Sequence, residues 1–199
     1  QVSSVDRAGN RSSSKALELE VPRARITFEG RPGDWEADTK WALVDTPERK
    51  AVWSDSPDGP YTEDADSSLV SKPFDLCGLA KPQLFFESRQ VLERGGDSVS
   101  VEVTEDGKAW RTLAQTTGTQ DWKVTRIALP PLRGNNIRVR FRLRSDQAFQ
   151  ADGFYLAGAV VADAVPKAIE HFSKPGQEAA VAAIERLSGD PQAQLKLAQ

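Results

Sequence analysis

The stretch NNIRVRFRLRSD, residues 135–146, alternates apolar and basic side chains over eight consecutive positions. The apolar positions are Ile137, Val139, Phe141 and Leu143. The basic positions are Arg138, Arg140, Arg142 and Arg144. Successive side chains of a β-strand point to opposite faces, so this pattern predicts a strand with one face in a core and four arginines on the other. The period of two residues excludes a helix here.

The surrounding region contains many short strand-like segments separated by Gly, Pro, Asp and Ser. They are 26–29, 40–44, 69–71, 83–88, 98–104, 109–114, 122–129, 136–144 and 153–161. Many short, evenly spaced strands without a helical period predict a mainly β protein, here a jelly-roll β-sandwich over residues 22–162. Large apolar anchors for its core are expected at Trp35, Trp41, Trp53, Trp110 and Trp122.

The two ends of the chain differ from this middle region. Residues 1–21 predict two strands around a polar turn, DRAGN, with the second strand at 17–21. A lone hairpin is not stable in water, so we expect terminal strands of a domain completed before Gln1 or by a partner chain. Residues 163–199 are rich in Ala, Gln and Glu and carry apolar residues at helical spacing, which predicts a short helical extension or the start of a further helical region.

The composition indicates a globular protein and limits its partners. The chain has 199 residues, a formal net charge of −3 and 39% hydrophobic residues. No apolar run reaches the roughly 18 residues that cross a bilayer, so no membrane span is predicted. The acidic isoelectric point, about 5.4, disfavours a nucleic-acid partner. Because methionine is absent and the sequence begins with Gln1, we expect a piece of a longer or processed polypeptide.

The sequence carries no recognisable catalytic motif. Cys77 and His171 are the only residues of their types, so neither an internal disulfide nor a His/Cys zinc site is predicted. Cys77 is expected to be a small buried residue. The motifs H-E-x-x-H and G-x-S-x-G and a phosphate-binding glycine loop do not occur. The loop carboxylates of 55–66 are expected to be solvated, a glycosidase pair among them being the weakest alternative. We therefore predict that the chain is not an enzyme.

Several phrases of the sequence resemble known modules. Residues 2–12, VSSVDRAGNRS, resemble the end of a fibronectin type III or immunoglobulin-like domain. The phrases FEG, VWSDSPDGPYTEDADSSLVSKPFDL, GGDSVSVEVTEDGKAWRTL and ADGFYLAGAVV follow in order over about 135 residues. This series resembles the MAM-like jelly-roll modules that accompany secreted bacterial peptidases of the immune inhibitor A and bacillopeptidase F kind. The resemblance implies an extracellular, cell-surface or periplasmic location, and no required cofactor.

The end of the jelly roll departs from the pattern of these modules. They usually continue D-G-W-Y with I-D-D-V, whereas here residues 152–155, DGFY, continue with LAGA. If the two acids help bind calcium in relatives, a structural calcium would instead need other oxygen ligands. The candidates are Glu29, Asp55, Asp58 and Asp152. The alternative is that these carboxylates cap loops and bind no metal.

Two surfaces are candidates for ligand binding. The arginines 138, 140, 142 and 144 either form ion pairs with acids on neighbouring strands or loops, or bind an acidic glycan. The acids expected nearby are Glu87, Glu93, Glu102 and Glu105. The aromatic residues Trp53, Tyr61, Phe149 and Tyr155 either stack on a sugar or pack in the core and loops.

These observations favour a non-catalytic structural or adhesive module of a larger surface or secreted protein, which mediates protein–protein assembly or spaces domains. The alternative function is a carbohydrate-binding accessory module that targets an attached hydrolase or peptidase. The expected partners are therefore other protein domains or chains, or an acidic or neutral polysaccharide.

Overall fold

The computed structural model describes residues 2–5, 11–14, 26–28 and 32–163. Its strands are β1 (Val2–Val5), β2 (Arg11–Ser14), β3 (Ile26–Phe28), β4 (Trp35–Ala37), β5 (Ala42–Val44), β6 (Val52–Ser54), β7 (Asp66–Ser71), β8 (Gln83–Val91), β9 (Ser98–Thr104), β10 (Arg111–Thr116), β11 (Thr119–Ala128), β12 (Arg138–Arg144) and β13 (Gly153–Ala162). One 3-10 turn, Pro32–Asp34, precedes β4. No helix within these ranges has the length and apolar character needed to span a bilayer.

Two antiparallel sheets form a sandwich. The five-stranded sheet has the order β10-β9-β12-β7-β4, and the six-stranded sheet has the order β11-β8-β13-β6-β5, with β3 added beside β13. From β7 onward the chain crosses repeatedly between the sheets, because β7, β9, β10 and β12 belong to one and β8, β11 and β13 to the other. This path confirms the prediction of a mainly β, jelly-roll sandwich.

The strand that the opening stretch predicts is β12, at the centre of the five-stranded sheet. It pairs with β9 on one side and β7 on the other, with Phe141 opposite Val101 and Leu69. Val139, Phe141 and Leu143 are at most 1% exposed. The inward face is therefore assigned correctly by the two-residue period.

The core is built around aromatic contacts with Phe141. Its ring centroid lies 5.1 Å from that of Phe86, 5.7 Å from that of Phe154 and 5.9 Å from that of Trp35. Such centroid separations are typical of favourable aromatic pairs. Trp41 joins this group through an edge contact with Phe154 at 6.2 Å. Phe141 thus connects the two sheets at the middle of the sandwich.

Three of the five predicted tryptophan anchors are in the core, and two are not. Trp35, Trp41 and Trp53 are at most 6% exposed and belong to the core cluster. Trp110 and Trp122 are half-buried. The guanidinium carbon of Arg140 lies 4.2 Å from the ring centroid of Trp110, and that of Arg49 lies 5.3 Å from the ring centroid of Trp122. Each of these partly exposed rings therefore gains a cation–π contact in its place near the surface.

Other predictions about the chain have different outcomes. Cys77 is exposed, so its expected burial is wrong. It lies in the irregular connection from β7 to β8, where no strand period directs side chains inward. Within residues 1–21, β1 and β2 pair as a hairpin, with Val5 opposite Arg11. Its second strand, Arg11–Ser14, lies earlier in the chain than the predicted strand at 17–21, which is outside the described ranges. The predicted helical extension also lies outside them, apart from Asp163.

Candidate functional site

All four arginines of β12 have acidic partners on the outer face of the five-stranded sheet. Arg138 Nη1 lies 2.6 Å from Glu36 Oε2, and Arg142 Nε lies 2.6 Å from Asp66 Oδ1. Arg140 Nε donates to Glu102 Oε2, and Arg144 Nε lies 3.9 Å from Asp66 Oδ2. The ion pairs are therefore made to neighbouring strands. They leave this face without a free row of guanidinium groups for an acidic ligand.

Of the four acids expected near these arginines, only Glu102 is a partner. Glu87 lies on β8 in the six-stranded sheet, where it is buried and forms an ion pair with Arg49 at 3.0 Å. Glu105 accepts a hydrogen bond from the backbone of Arg133. The actual partners Glu36 and Asp66 lie on β4 and β7. The strand order decides the pairing, and that order is not readable from local sequence.

The four aromatic residues proposed for sugar stacking are not brought together as a platform. Trp53, Tyr61 and Tyr155 are buried, with 6%, 3% and 8% exposure, whereas Phe149 is 78% exposed. Trp53 points into the core from β6. The hydroxyl of Tyr155 donates to Asp152 Oδ1 at 2.9 Å. Among these four, only Phe149 presents a ring to solvent.

Three connections meet at one end of the sandwich, and we call them together the loop end: residues 55–65, 92–97 and 145–152. Backbone hydrogen bonds join them, from Asp64 N to the carbonyl of Asp146 at 2.9 Å and from Tyr61 N to the carbonyl of Ala151 at 3.1 Å. The buried carboxylate of Asp97 accepts from Asp146 N at 2.9 Å and from the Tyr61 hydroxyl. Burial, together with the hydrogen bond to Asp97, raises the pKa of Tyr61 to about 12.

Phe149 lies in the last of these connections and has a φ of 38°. Left-handed backbone costs a side-chain-bearing residue about 1–3 kcal/mol and persists only where the surroundings impose it. Here Gln147 Nε2 donates to Asp64 Oδ2 at 2.9 Å, and Ala148 N donates to Asp146 Oδ1 at 2.8 Å. The exposed ring is thus carried by a loop that is tied down on both sides.

The carboxylates predicted to bind calcium do not converge on one point within the described ranges. Glu29 lies outside those ranges. Asp58 is exposed, and Asp152 uses Oδ2 for Arg89 at 3.1 Å and Oδ1 for Tyr155. The carboxylates that do approach within 4.8 Å of one another are Glu93, Asp97 and Asp146. Burial, and then repulsion by Asp146 and Asp97, raises the pKa of Glu93.

Asp55 is the least exposed of the three described members of the predicted set. It is 4% exposed, and its Oδ1 accepts from Phe154 N and Ser56 Oγ, each at 2.9 Å. The carbonyl of Asp152 is also within hydrogen-bond distance of Ser56 Oγ, so the single hydroxyl hydrogen is shared between these two acceptors. Burial is the main cause that raises the pKa of Asp55 to about 7, and the nearby Asp152 charge adds to it. Asp55 therefore links the end of β6 to the beginning of β13.

The raised pKa of Asp55 makes stability depend on pH. The folded protein holds a proton on Asp55 up to about pH 7, whereas the unfolded chain releases it near the ordinary value of 3.8. Asp55 therefore favours folding fully below pH 3.8, and this contribution is lost as pH rises through 7. We expect wild type to lose on the order of 4 kcal/mol relative to Asp55→Asn between pH 4 and pH 8. Urea unfolding at each pH measures the difference.

The comparison with Asp55→Asn removes the effects of other acids. Arg142 holds the pKa of Asp66 below its usual range, and such groups stabilise the fold as pH rises. They contribute equally to both proteins. An asparagine oxygen can still accept from Phe154 N, so the variant keeps the linkage without the titration. Parallel pH profiles for the two proteins would contradict the assignment.

A cleft of about 270 Å³ opens beside Asp55 at the loop end. Its polar lining residues are Thr39, Lys40, Asp55, Ser56, Asp58, Thr62 and Ser67. Pro57, Pro60 and Leu143 add apolar surface, and Tyr61 and Ala65 complete the lining together with Gly59. A larger groove of about 800 Å³, lined in part by Leu76, Leu79 and Leu132, lies on the connections 72–82 and 129–137.

Comparison with known proteins relates the chain to a small part of a much longer relative. No protein-family model matches the chain. Bacillopeptidase F of Bacillus subtilis (strain 168) is 30% identical over 148 residues, which are 68% of this chain and 10% of that protein. The match therefore spans about a tenth of that relative's length.

Two solved structures are similar at low sequence identity. A mutant of a family 29 carbohydrate-binding module has a TM-score of 0.47 and 10% identity, with coverage of 70% of this chain and 87% of that chain. The C-terminal family 6 carbohydrate-binding module of the laminarinase LamC from Zobellia galactanivorans has a TM-score of 0.45 and 11% identity, with coverage of 70% and 99%.

Proposed function

We propose that the chain is a non-catalytic, extracellular accessory module of a larger multidomain protein, and that it works by contact with another protein domain or chain. The sequence likeness to a tenth of a protein named as a peptidase supports an accessory role. The domain division is proposed with it: 1–21 as terminal strands of a fibronectin- or immunoglobulin-like domain, 22–162 as a MAM-like jelly roll, and 163–199 as a helical extension or the start of a further helical region.

The exposed ring of Phe149 is the observation that carries this function. It is the one large hydrophobic side chain that the described residues leave exposed, at 78%. Its loop is fixed by hydrogen bonds before any partner arrives, so little conformational entropy is lost when the ring enters a pocket. Rigid aromatic anchors of this kind dominate the energy of many protein interfaces.

The charge around Phe149 indicates what its partner carries. The loop end contains eight acidic residues and one basic residue, Arg94. Two of the eight add little charge, because Asp55 is buried and protonated up to about pH 7 and Asp152 is paired with Arg89. Complementary potentials favour a partner whose apolar pocket is bordered by Lys and Arg. The same charge disfavours an acidic polysaccharide or an anionic membrane at this end. Protein–protein assembly or domain docking is therefore the function that this surface supports best.

Site-specific photo-crosslinking in the full polypeptide tests this function. We expect p-benzoyl-phenylalanine at position 149 to cross-link to one defined site, either on a neighbouring domain or on a second protein. Mass spectrometry of the linked peptide should place that site beside Lys or Arg residues. Excess wild-type chain should compete for the product, and excess Phe149→Ala should not.

Position 108 provides the control for the cross-linking. Lys108 is exposed in the turn after β9, whereas the loop end precedes that strand, so the two sites lie at opposite ends of the sandwich. Equal yields from positions 149 and 108, or a product that both competitors suppress equally, would reject the proposed contact.

Polysaccharide binding remains the second candidate function because the cleft beside Asp55 offers both hydrogen-bonding groups and apolar surface. Buried Trp53, Tyr61 and Tyr155 cannot supply the stacking that was expected. Affinity electrophoresis in gels containing a neutral mannan or glucan tests it. Unchanged mobility in every gel would reject binding to these polymers.

A further inference from the structure

The cleft beside Asp55 contains two buried polar atoms that have no hydrogen-bond partner. They are Asp55 Oδ2 and Ser67 Oγ, in residues that are 4% and 2% exposed. Neither atom is bonded within the described part of the chain, although nearly all buried polar atoms of folded proteins are. Both residues line the same cleft. A ligand bound in the cleft would therefore supply the missing hydrogen-bond partners.

The carboxyl group of Asp55 cannot turn to give Oδ2 a partner within the protein. Oδ1 already accepts from Phe154 N and Ser56 Oγ, and this linkage fixes the orientation of the carboxyl group. Leaving a buried polar atom without a partner costs about 1–3 kcal/mol. Because Oδ1 is already an acceptor, Oδ2 carries the proton that Asp55 holds up to about pH 7. A ligand hydroxyl can both accept and donate, so it recovers that free energy whether or not Oδ2 is protonated.

The size and lining of the cleft restrict the ligand. Its volume of about 270 Å³ is far larger than the roughly 30 Å³ share of one water and lies near the lower limit of small-molecule sites. The lining includes the hydroxyl-bearing residues Thr39, Thr62 and Ser67 and the apolar residues Pro57 and Leu143. This mixture matches a compact molecule that carries both hydroxyl groups and C–H faces.

A divalent cation fits the same place less well. Calcium takes about six to eight oxygen ligands, commonly with several carboxylates. In this cleft only Asp55 and Asp58 carry carboxylates, and Asp58 is exposed. Asp152 is committed to Arg89 and Tyr155. The described carboxylates that do cluster, Glu93, Asp97 and Asp146, include no residue that lines the cleft.

We infer that the cleft binds a neutral, hydroxyl-bearing ligand of the size of one sugar ring, with a ligand hydroxyl hydrogen-bonded to Asp55 Oδ2 and Ser67 Oγ making a second hydrogen bond. The inference rests on the second proposed function and specifies its site. Without an exposed aromatic ring in the cleft, we expect a dissociation constant of roughly 1 mM or weaker for one ring.

Titration of the 15N-labelled chain with methyl α-D-mannopyranoside and methyl β-D-glucopyranoside, followed by NMR, tests the inference. We expect saturable amide shifts confined to residues 38–40, 54–62 and 66–68 for at least one of them. Ser67→Ala should weaken binding about fivefold or more, because it removes one hydrogen bond. Ser68→Ala is the matched control, since Ser68 adjoins Ser67 on β7 but is not among the residues that line the cleft.

The outcomes separate this inference from the proposed protein contact. Absence of shifts up to about 50 mM of either glycoside overturns it, whatever the cross-linking at position 149 shows. Shifts in the same residues with calcium chloride alone overturn it in favour of a cation site. Phe149→Ala is expected to leave the glycoside titration unchanged, because Phe149 does not line the cleft.

Discussion

Replacing Phe141 with alanine is expected to lower the free energy of unfolding by about 3–5 kcal/mol. The side chain is fully buried and contacts Phe86, Phe154 and Trp35. The loss has two parts: the lost free energy of burying a large apolar side chain, and the cavity left between two hydrogen-bonded sheets that cannot close it freely. In a chain of this length the midpoint of thermal denaturation should fall by roughly 8–15 °C. Urea unfolding followed by tryptophan fluorescence measures the change.

Phe149→Ala is the matched control for this prediction. It deletes the same atoms from a ring that is 78% exposed, so its stability effect should stay within about 0.5 kcal/mol. The contrast isolates burial from residue type. A loss below about 1 kcal/mol for Phe141→Ala would contradict the position of β12 at the centre of the core.

The parts of the fold that the sequence predicts are those with a strong local period. The inward face of β12 follows from alternation alone. β4 and β6 were not predicted; each has only three residues, and neither shows an alternation of buried and exposed side chains. Their partners fix them instead: β4 pairs with β7, and β6 pairs with β5 and β13.

The candidate site is less predictable because it depends on which loops meet. Composition places carboxylates and aromatic residues in the right loops, but it does not show that Tyr61 is buried against Asp97 while Phe149 is left exposed. Ser67 carried no recognised signal. In retrospect the pattern of β7, in which buried Ser67, Leu69 and Ser71 alternate with outward residues, places a hydroxyl on the inner face. Only the folded structure shows that this hydroxyl lines the cleft.

Replacing Gly153 with alanine is expected to lower the free energy of unfolding by about 4 kcal/mol or more. Gly153 begins β13 with a φ of 92°, a conformation in which an L side chain is strained by about 1–2 kcal/mol. A Cβ there would overlap Ser56 Oγ and Asp55 Oδ1 and lie 3.1 Å from Ser56 Cβ. Those atoms are held by hydrogen bonds to Phe154 N and the carbonyl of Asp152, so relief of the overlap breaks buried hydrogen bonds.

Gly134→Ala separates the backbone strain from the overlap. Gly134 has a φ of 97°, close to that of Gly153, but a Cβ there would meet nothing within 4 Å. The free energy of unfolding of Gly134→Ala should therefore fall only by the backbone strain, about 1–2 kcal/mol. The excess loss in Gly153→Ala, measured by urea unfolding, reports how tightly the end of β6 is joined to β13. Equal losses in the two variants would show that Asp55 and Ser56 yield to the added methyl group, and the orientation of Asp55 in the cleft would then not be fixed by this linkage.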